Sequence, residues 1–150
     1  MKFVFNKIQE GFSAEKVTAQ FVGGCVRKYL SNKDVDDIDI ATSLTTDQIK
    51  EKFRDTKFKV IDSGIKHGTV TLVSDNLKLE ITTLRKDIKT DGRHAEIEYT
   101  DDWQKDSERR DFTINAIYLD INGKIFDPQG GVNDLKNHQV KFIGDPQKRI

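Results

Sequence analysis

Apolar residues fall along this chain in short runs, and the spacing within each run names the element it can form. Alternating apolar and polar residues give a strand with one buried face, whereas spacings of three and four give a helix. "AQFVGG", residues 19–24, predicts a short strand running into two glycines. "CVRKYLSNK" follows, with Val26, Tyr29 and Leu30 at helical spacing. "VDDIDIAT", residues 35–42, alternates with period two and predicts a strand. Thr45 or Thr46 can cap the next helix, "DQIKEKF", whose Ile49 and Phe53 share a face. Three β-rich runs come next, "FKVIDSG", "GTVTLV" and "LKLEITTLR", with Ser74-Asp75-Asn76 as the turn between the last two. Residues 85–106 are polar and poorly periodic, which predicts a long, mobile loop. "AIYLDINGKIFD" predicts a hairpin turning at Asn122-Gly123, followed by a short helix "GVNDLKN" and a last strand "QVKFIG". Strands outnumber helices and hairpins are frequent. The expected fold is α+β, a mixed, mostly antiparallel sheet with helices packed on one side.

Composition narrows this only a little. The 150 residues suffice for one compact domain, and 35% hydrophobic against 33% charged residues predicts a thin core under a heavily solvated surface. Twenty-five basic and 25 acidic residues cancel, which argues against a dedicated polyanion-coating protein but leaves room for a local basic cleft. Cys25 is the only cysteine, so no internal disulfide forms and a reducing compartment is expected. No apolar run approaches a membrane span, and "MKFVFNKIQEGF" lacks the apolar stretch of a signal peptide, so a soluble cytoplasmic protein is expected.

Charge changes the picture at "DVDDIDIAT", where four aspartates interleave with β-branched residues. On a strand, Asp37 and Asp39 project from one face about 7 Å apart, while Ile38 and Ile40 can enter the core. Two carboxylates fixed on a rigid element are costly unless cations neutralise them. Oxygen ligands alone favour a hard ion, Mg²⁺ with Mn²⁺ as the alternative, completed by substrate phosphates. An exposed edge strand that uses charge against aggregation is the competing reading. "VGGCVR" bears on the choice. Gly23 and Gly24, between strand and helix, let backbone approach a ligand, and the helix start offers free N–H groups to phosphate. Arg27, one turn in, can add a charge-assisted contact. A plain tight turn explains the glycines equally well, but their position directly ahead of the aspartates makes a triphosphate site plausible.

In "SERRDFTINA", Arg109 and Arg110 beside Asp111, with Asn115 beyond, combine cations with groups that read phosphate and sugar hydroxyls. A salt-bridged turn is the alternative. Glu80 points away from Leu79 and Ile81 and is a third carboxylate if its strand neighbours that of the aspartates. No histidine–cysteine cluster has zinc spacing and no serine sits on a nucleophile elbow. His67 and His94 lie in glycine-flanked segments, His138 reads as a surface residue, and Trp103 as a pin for the long loop.

"GGCVR…DVDDIDIAT", "LEITTLR" and "RRDFTINA", in that order, resemble the head domain of the class II tRNA nucleotidyltransferase and bacterial poly(A) polymerase family, within the DNA polymerase β superfamily. The resemblance runs from about Phe21 to the C-terminus and takes in "FDPQGGVNDL…GDP", so residues 1–150 are expected to form one catalytic head. It implies that Asp37 and Asp39 bind two Mg²⁺ ions and that Gly24 and Arg27, with Gly23 beside them, hold the triphosphate. It further implies that Arg110, Asp111 and Asn115 face the nucleotide, the last two nearest the sugar, with Asp37, Asp39 and Arg110 as the catalytic set. The residue after the arginine is Lys28 where the family usually has aspartate. The family's base-selecting acidic-x-x-Arg helix lies beyond "GDPQKRI", as do the domains that hold tRNA. A C-terminal RNA-binding body, in the same or a separate chain, is therefore an expected partner, and the isolated chain is expected to be incomplete or inactive. The expected activity is transfer from CTP and ATP to a tRNA 3′ end. The alternatives are a poly(A) polymerase head, a C-only or A-only tRNA enzyme, a non-catalytic Mg–nucleotide module, and a nucleotidyltransferase acting on proteins.

Overall fold

The computed structural model describes residues 1–64, 68–88 and 96–144. Helix α1 (Lys2–Gln9) precedes strand β1 (Ala19–Val22), which turns through Gly23 into α2 (Gly24–Leu30). Then follow β2 (Ile38–Thr42), α3 (Thr46–Phe53), and the antiparallel run β3 (Lys59–Gly64), β4 (Thr69–Ser74) and β5 (Leu77–Thr83). A two-stranded ribbon, β6 (Arg85–Ile88) with β7 (Glu96–Tyr99), leads to α4 (Trp103–Glu108) and a 3-10 turn at Thr113–Asn115. Strands β8 (Tyr118–Leu119) and β9 (Ile125–Phe126) and helix α5 (Gly131–Lys136) complete the described elements.

Seven strands form one sheet in the order β3-β4-β5-β2-β1-β8-β9, antiparallel throughout except where β2 lies parallel to β5. That single parallel contact sets Asp39 directly opposite Glu80. The alternation read from the sequence fixes the two faces. Ala19, Ile40, Val70, Leu72, Leu79 and Ile81 point to one side, where Val4, Phe5 and Ile8 of α1 and Ile49 and Phe53 of α3 cover them. Burying each of these side chains larger than alanine stabilises the fold by roughly 1.5–3 kcal/mol. On the opposite face, Val22 and Ala41 pack with Leu84 and Tyr118 toward one end of the sheet, and Asp39 and Glu80 occupy the part left half-exposed. No helix among the described residues is long and apolar enough to cross a membrane.

Several expectations are met closely. Thr45 caps α3, its hydroxyl accepting from Gln48 N at 3.2 Å while the Gln48 side chain accepts from Thr45 N at 2.9 Å. The β8–β9 hairpin turns at Asn122-Gly123, with Gly123 at φ +88° and Asp120 Oδ1 accepting from Asn122 N and Lys124 N. Other expectations are corrected. The aspartate strand starts at Ile38, not Val35, because Asp34 to Asp37 are exposed and Asp36 instead bonds Lys28 Nζ at 2.7 Å and Asp37 N at 3.1 Å. Described residues between 85 and 106 form the β6–β7 ribbon and the start of α4 rather than a loop. Asp102 caps α4 by accepting from Lys105 N at 3.2 Å. Trp103 does pin this region, donating to Val17 O at 3.2 Å and meeting the Tyr118 ring edge-on. "QVKFIG" makes only one bridge, Phe112 with Phe142, and not a strand. Helix α1 had no counterpart in the sequence reading. His67 and His94 lie outside the described residues, and His138 is exposed.

Helix α5 anchors the 3-10 turn that carries Asn115. Thr113 Oγ1 donates to Asp134 at 2.6 Å, and Asp127 accepts from Gly131 N and Val132 N. A Cβ on Gly131 would overlap the Thr113 carbonyl and come within 2.8 Å of Ile117. Gly131→Ala is therefore expected to destabilise the domain by about 1–3 kcal/mol, read as a shift of the urea midpoint without a change in slope.

Candidate active site

Asp39 is the centre of the carboxylate cluster. It sits second in β2, side chain on the face away from α1 and α3, with Asp37 one residue ahead of the strand and Glu80 across from it on β5. Asp37, Ile38, Asp39, Lys78 and Glu80 line a cleft of about 210 Å³. Burial pushes the Asp39 carboxyl above the ordinary carboxylate range, the negative charges of Glu80 and Asp37 add to that, and the Arg110 guanidinium only partly offsets them. Asp37, Asp39 and Glu80 thus put three carboxylates on one cleft, which among the described residues has a single basic side chain in its lining, Lys78. An all-oxygen donor set with that imbalance fits a hard divalent ion, which is ordinarily held by one or two carboxylates plus water and substrate phosphate. Among the described residues no three acidic, histidine or cysteine side chains converge into a metal cage.

The glycine turn lies on the β1 flank of Asp39. Gly23 adopts φ +82°, a conformation other residues rarely take, and a Cβ there would come within 3.9 Å of Asp39 Oδ2. Behind it, Arg27 donates to Asn115 Oδ1 at 2.6 Å, and Asn115 Nδ2 donates to Asp111 Oδ1 at 3.2 Å. Asp111 Oδ1 also accepts from Phe112 N at 2.6 Å. Gly24 belongs to the same patch, its Cβ position 3.7 Å from the Arg27 guanidinium. The turn, Arg27, Asn115 and Asp111, far apart in sequence, form one connected edge beside the carboxylates.

Arg110 is placed differently from its neighbours in "RRDFTINA". It and Arg109 are mostly buried, and both engage Asp106, which is 1% exposed. Asp106 Oδ2 accepts from Arg110 and from the Tyr118 hydroxyl at 2.6 Å, while Oδ1 accepts from Arg109 and Arg85 N. Burial alone would raise the Asp106 pKa, but Arg110, Arg109, Tyr118 and the Arg85 N–H together hold it below the ordinary range. Of the two readings of the arginine pair, the geometry shows the salt-bridged one. Arg110 is also close enough to Asp39 to influence its charge. Asp106, Tyr118 and Lys78 were not singled out from the sequence. The i, i+3, i+4 spacing of Asp106, Arg109 and Arg110 is the signal that would have found the first of them.

Residues 19–141 match the poly A polymerase head domain. The chain belongs to that family. The head domain is 46% identical over 144 residues to the human mitochondrial CCA tRNA nucleotidyltransferase 1, covering 95% of this chain and 33% of that protein. It is 44% identical over 134 residues to the CCA-adding enzyme of Lactobacillus helveticus, covering 88% of this chain and 33% of the relative. Its fold superposes on the crystal structure of the Bacillus stearothermophilus CCA-adding enzyme in complex with CTP with a TM-score of 0.81 at 33% identity, covering 98% of this chain and 33% of that one. A tRNA nucleotidyltransferase complexed with a primer tRNA and an incoming ATP analog gives a TM-score of 0.67 at 31% identity, covering 85% of the head domain and 36% of that chain. The head domain spans about a third of the length of these relatives.

Proposed function

We propose that this chain is the catalytic head that transfers nucleotides from CTP and ATP to the 3′ end of tRNA, working with an RNA-binding body. The observation that carries the reading is the shared cleft of Asp37, Asp39 and Glu80 set against the Gly23–Gly24 turn. The named activities of the relatives, and the solved structures in complex with CTP or with a primer tRNA and an incoming ATP analog, support the same reading.

Asp37 and Asp39 would hold Mg²⁺, with water and substrate phosphate completing its oxygen shell, while Glu80 stands across from Asp39 on β5. The chemistry such an ion supplies when bound is a lowered pKa for the attacking hydroxyl and neutralisation of the departing pyrophosphate. The protein's own groups position the reactants. Gly23 and Gly24 leave room for triphosphate oxygens next to Asp39. Arg27, oriented by Asn115, adds a charge-assisted hydrogen bond to the same phosphates. Asp111 and Asn115, joined to each other, present a donor and acceptors toward the sugar. Arg110, locked by Asp106 and Tyr118, keeps positive charge beside Asp39 as substrate charge arrives.

Calorimetric titration with CTP tests the nucleotide half of this reading. Binding is expected to require Mg²⁺, and Arg27→Ala is expected to weaken it about tenfold or more, the worth of a charge-assisted hydrogen bond. CTP affinity that is indifferent to both Mg²⁺ and Arg27 would remove the triphosphate assignment.

A further inference from the structure

Lys78 shares the carboxylate cleft but belongs to neither the metal-binding nor the triphosphate-binding set. It lies two residues before Glu80 on β5, so both side chains leave the same face. Among the described residues Lys78 is the only basic one lining the cleft, and no carboxylate lies within ion-pair distance of it; it is exposed. Protection of a sheet edge does not explain it, because β5 is paired on both sides, with β4 and with β2.

The two flanks of Asp39 give it a role. In the sheet order β5-β2-β1, the glycine turn, Arg27 and Asn115 lie on the β1 side, and Glu80 and Lys78 on the β5 side. In an in-line displacement the attacking and leaving oxygens stand on opposite sides of the transferred phosphorus. With the triphosphate held on the β1 side, the attacking hydroxyl comes in over β5. An RNA 3′ end brings its last phosphodiester with it, toward a wall of three carboxylates. A flexible ammonium on that flank is what the approaching phosphate needs.

We infer that Lys78 binds the terminal phosphodiester of the RNA being extended and so places its 3′-hydroxyl at the Asp39 cleft, an inference that rests on the nucleotidyl-transfer reading above. The test is steady-state kinetics in the tRNA-extending protein that carries this head. Lys78→Ala is expected to raise KM for tRNA about tenfold while KM for CTP changes less than twofold, and Lys78→Arg to restore the wild-type value. The dependence of tRNA binding on salt should also become shallower, by the share of one phosphate contact. An unchanged KM for tRNA, or a rise confined to CTP, would overturn the inference. Wild-type protein that extends no tRNA would instead remove the underlying reading, and this inference with it. Lys78 is exposed, so a preserved thermal midpoint separates its effect from misfolding.

Discussion

Asp39→Asn is expected to lower nucleotidyl transfer by about a thousandfold or more, corresponding to about 4 kcal/mol of transition-state stabilisation, and to raise the thermal midpoint slightly at neutral pH. The two effects have one cause. The folded protein raises the pKa of Asp39 through burial and through Glu80 and Asp37, so the ionised carboxylate that can hold a cation works against folding. The sign follows from linkage. A carboxyl with a raised folded pKa binds its proton more readily when folded, so its destabilising contribution is absent below the unfolded value of about 3.9. That contribution grows as pH rises through the folded pKa. The midpoint difference between wild type and Asp39→Asn should therefore be present at pH 7 and vanish in acid, as differential scanning calorimetry across pH would show. A variant both less active and less stable at neutral pH would mean that Asp39 is structurally satisfied rather than held ready for a cation.

Asp106→Asn is expected to cost about 3–5 kcal/mol of stability, more than any other polar change in the described structure. Asp106 is the common acceptor for Arg109, Arg110, Tyr118 and the Arg85 N–H, and it is 1% exposed. Removing its charge leaves two mostly buried guanidinium groups without their shared counter-ion. Its pH signature is opposite to that of Asp39. A depressed folded pKa gives stability that is complete above the unfolded value of about 3.9 and is lost as pH falls through the lower folded value. Wild type should thus lose stability in that acid window, and Asp106→Asn should lack this loss. Transfer should fall as well, because Arg110 loses the anchor that holds it near Asp39. Urea denaturation at several pH values reads the first effect and nucleotide incorporation the second.

The elements the sequence revealed are those whose apolar period is clean. β5 alternates without interruption, β4 alternates as far as Leu72, and α3 carries both a capping box and a spaced apolar pair. Asp37 and Asp39 were legible because charge on a β-branched run is conspicuous. That Glu80 stands across from Asp39 was not, since strand order depends on which edges meet after the α3 crossover. Residues 85–106 read as loop because the ribbon and α4 are held by polar groups, Asp102 at the cap and Asp106 inside, which leave no apolar period. Helix α1 was missed because no capping side chain marks its start and the unbroken apolar run Phe3-Val4-Phe5 blurs the helical period. The separation of Arg110 from Asp111, one buried against Asp106 and one exposed beside Asn115, arises from the bend between α4 and the 3-10 turn and has no one-dimensional trace.

The most direct test of catalytic identity uses a tRNA transcript lacking its 3′ CCA, with Mg²⁺ and each labelled nucleoside triphosphate in turn. The chain would be run with and without an RNA-binding body, alongside Asp39→Asn as the matched control. Addition of two C residues and then one A, dependent on the body and on Asp39, is the predicted result. Runs of A on any RNA, label on protein, or CTP bound without incorporation under every condition would contradict it.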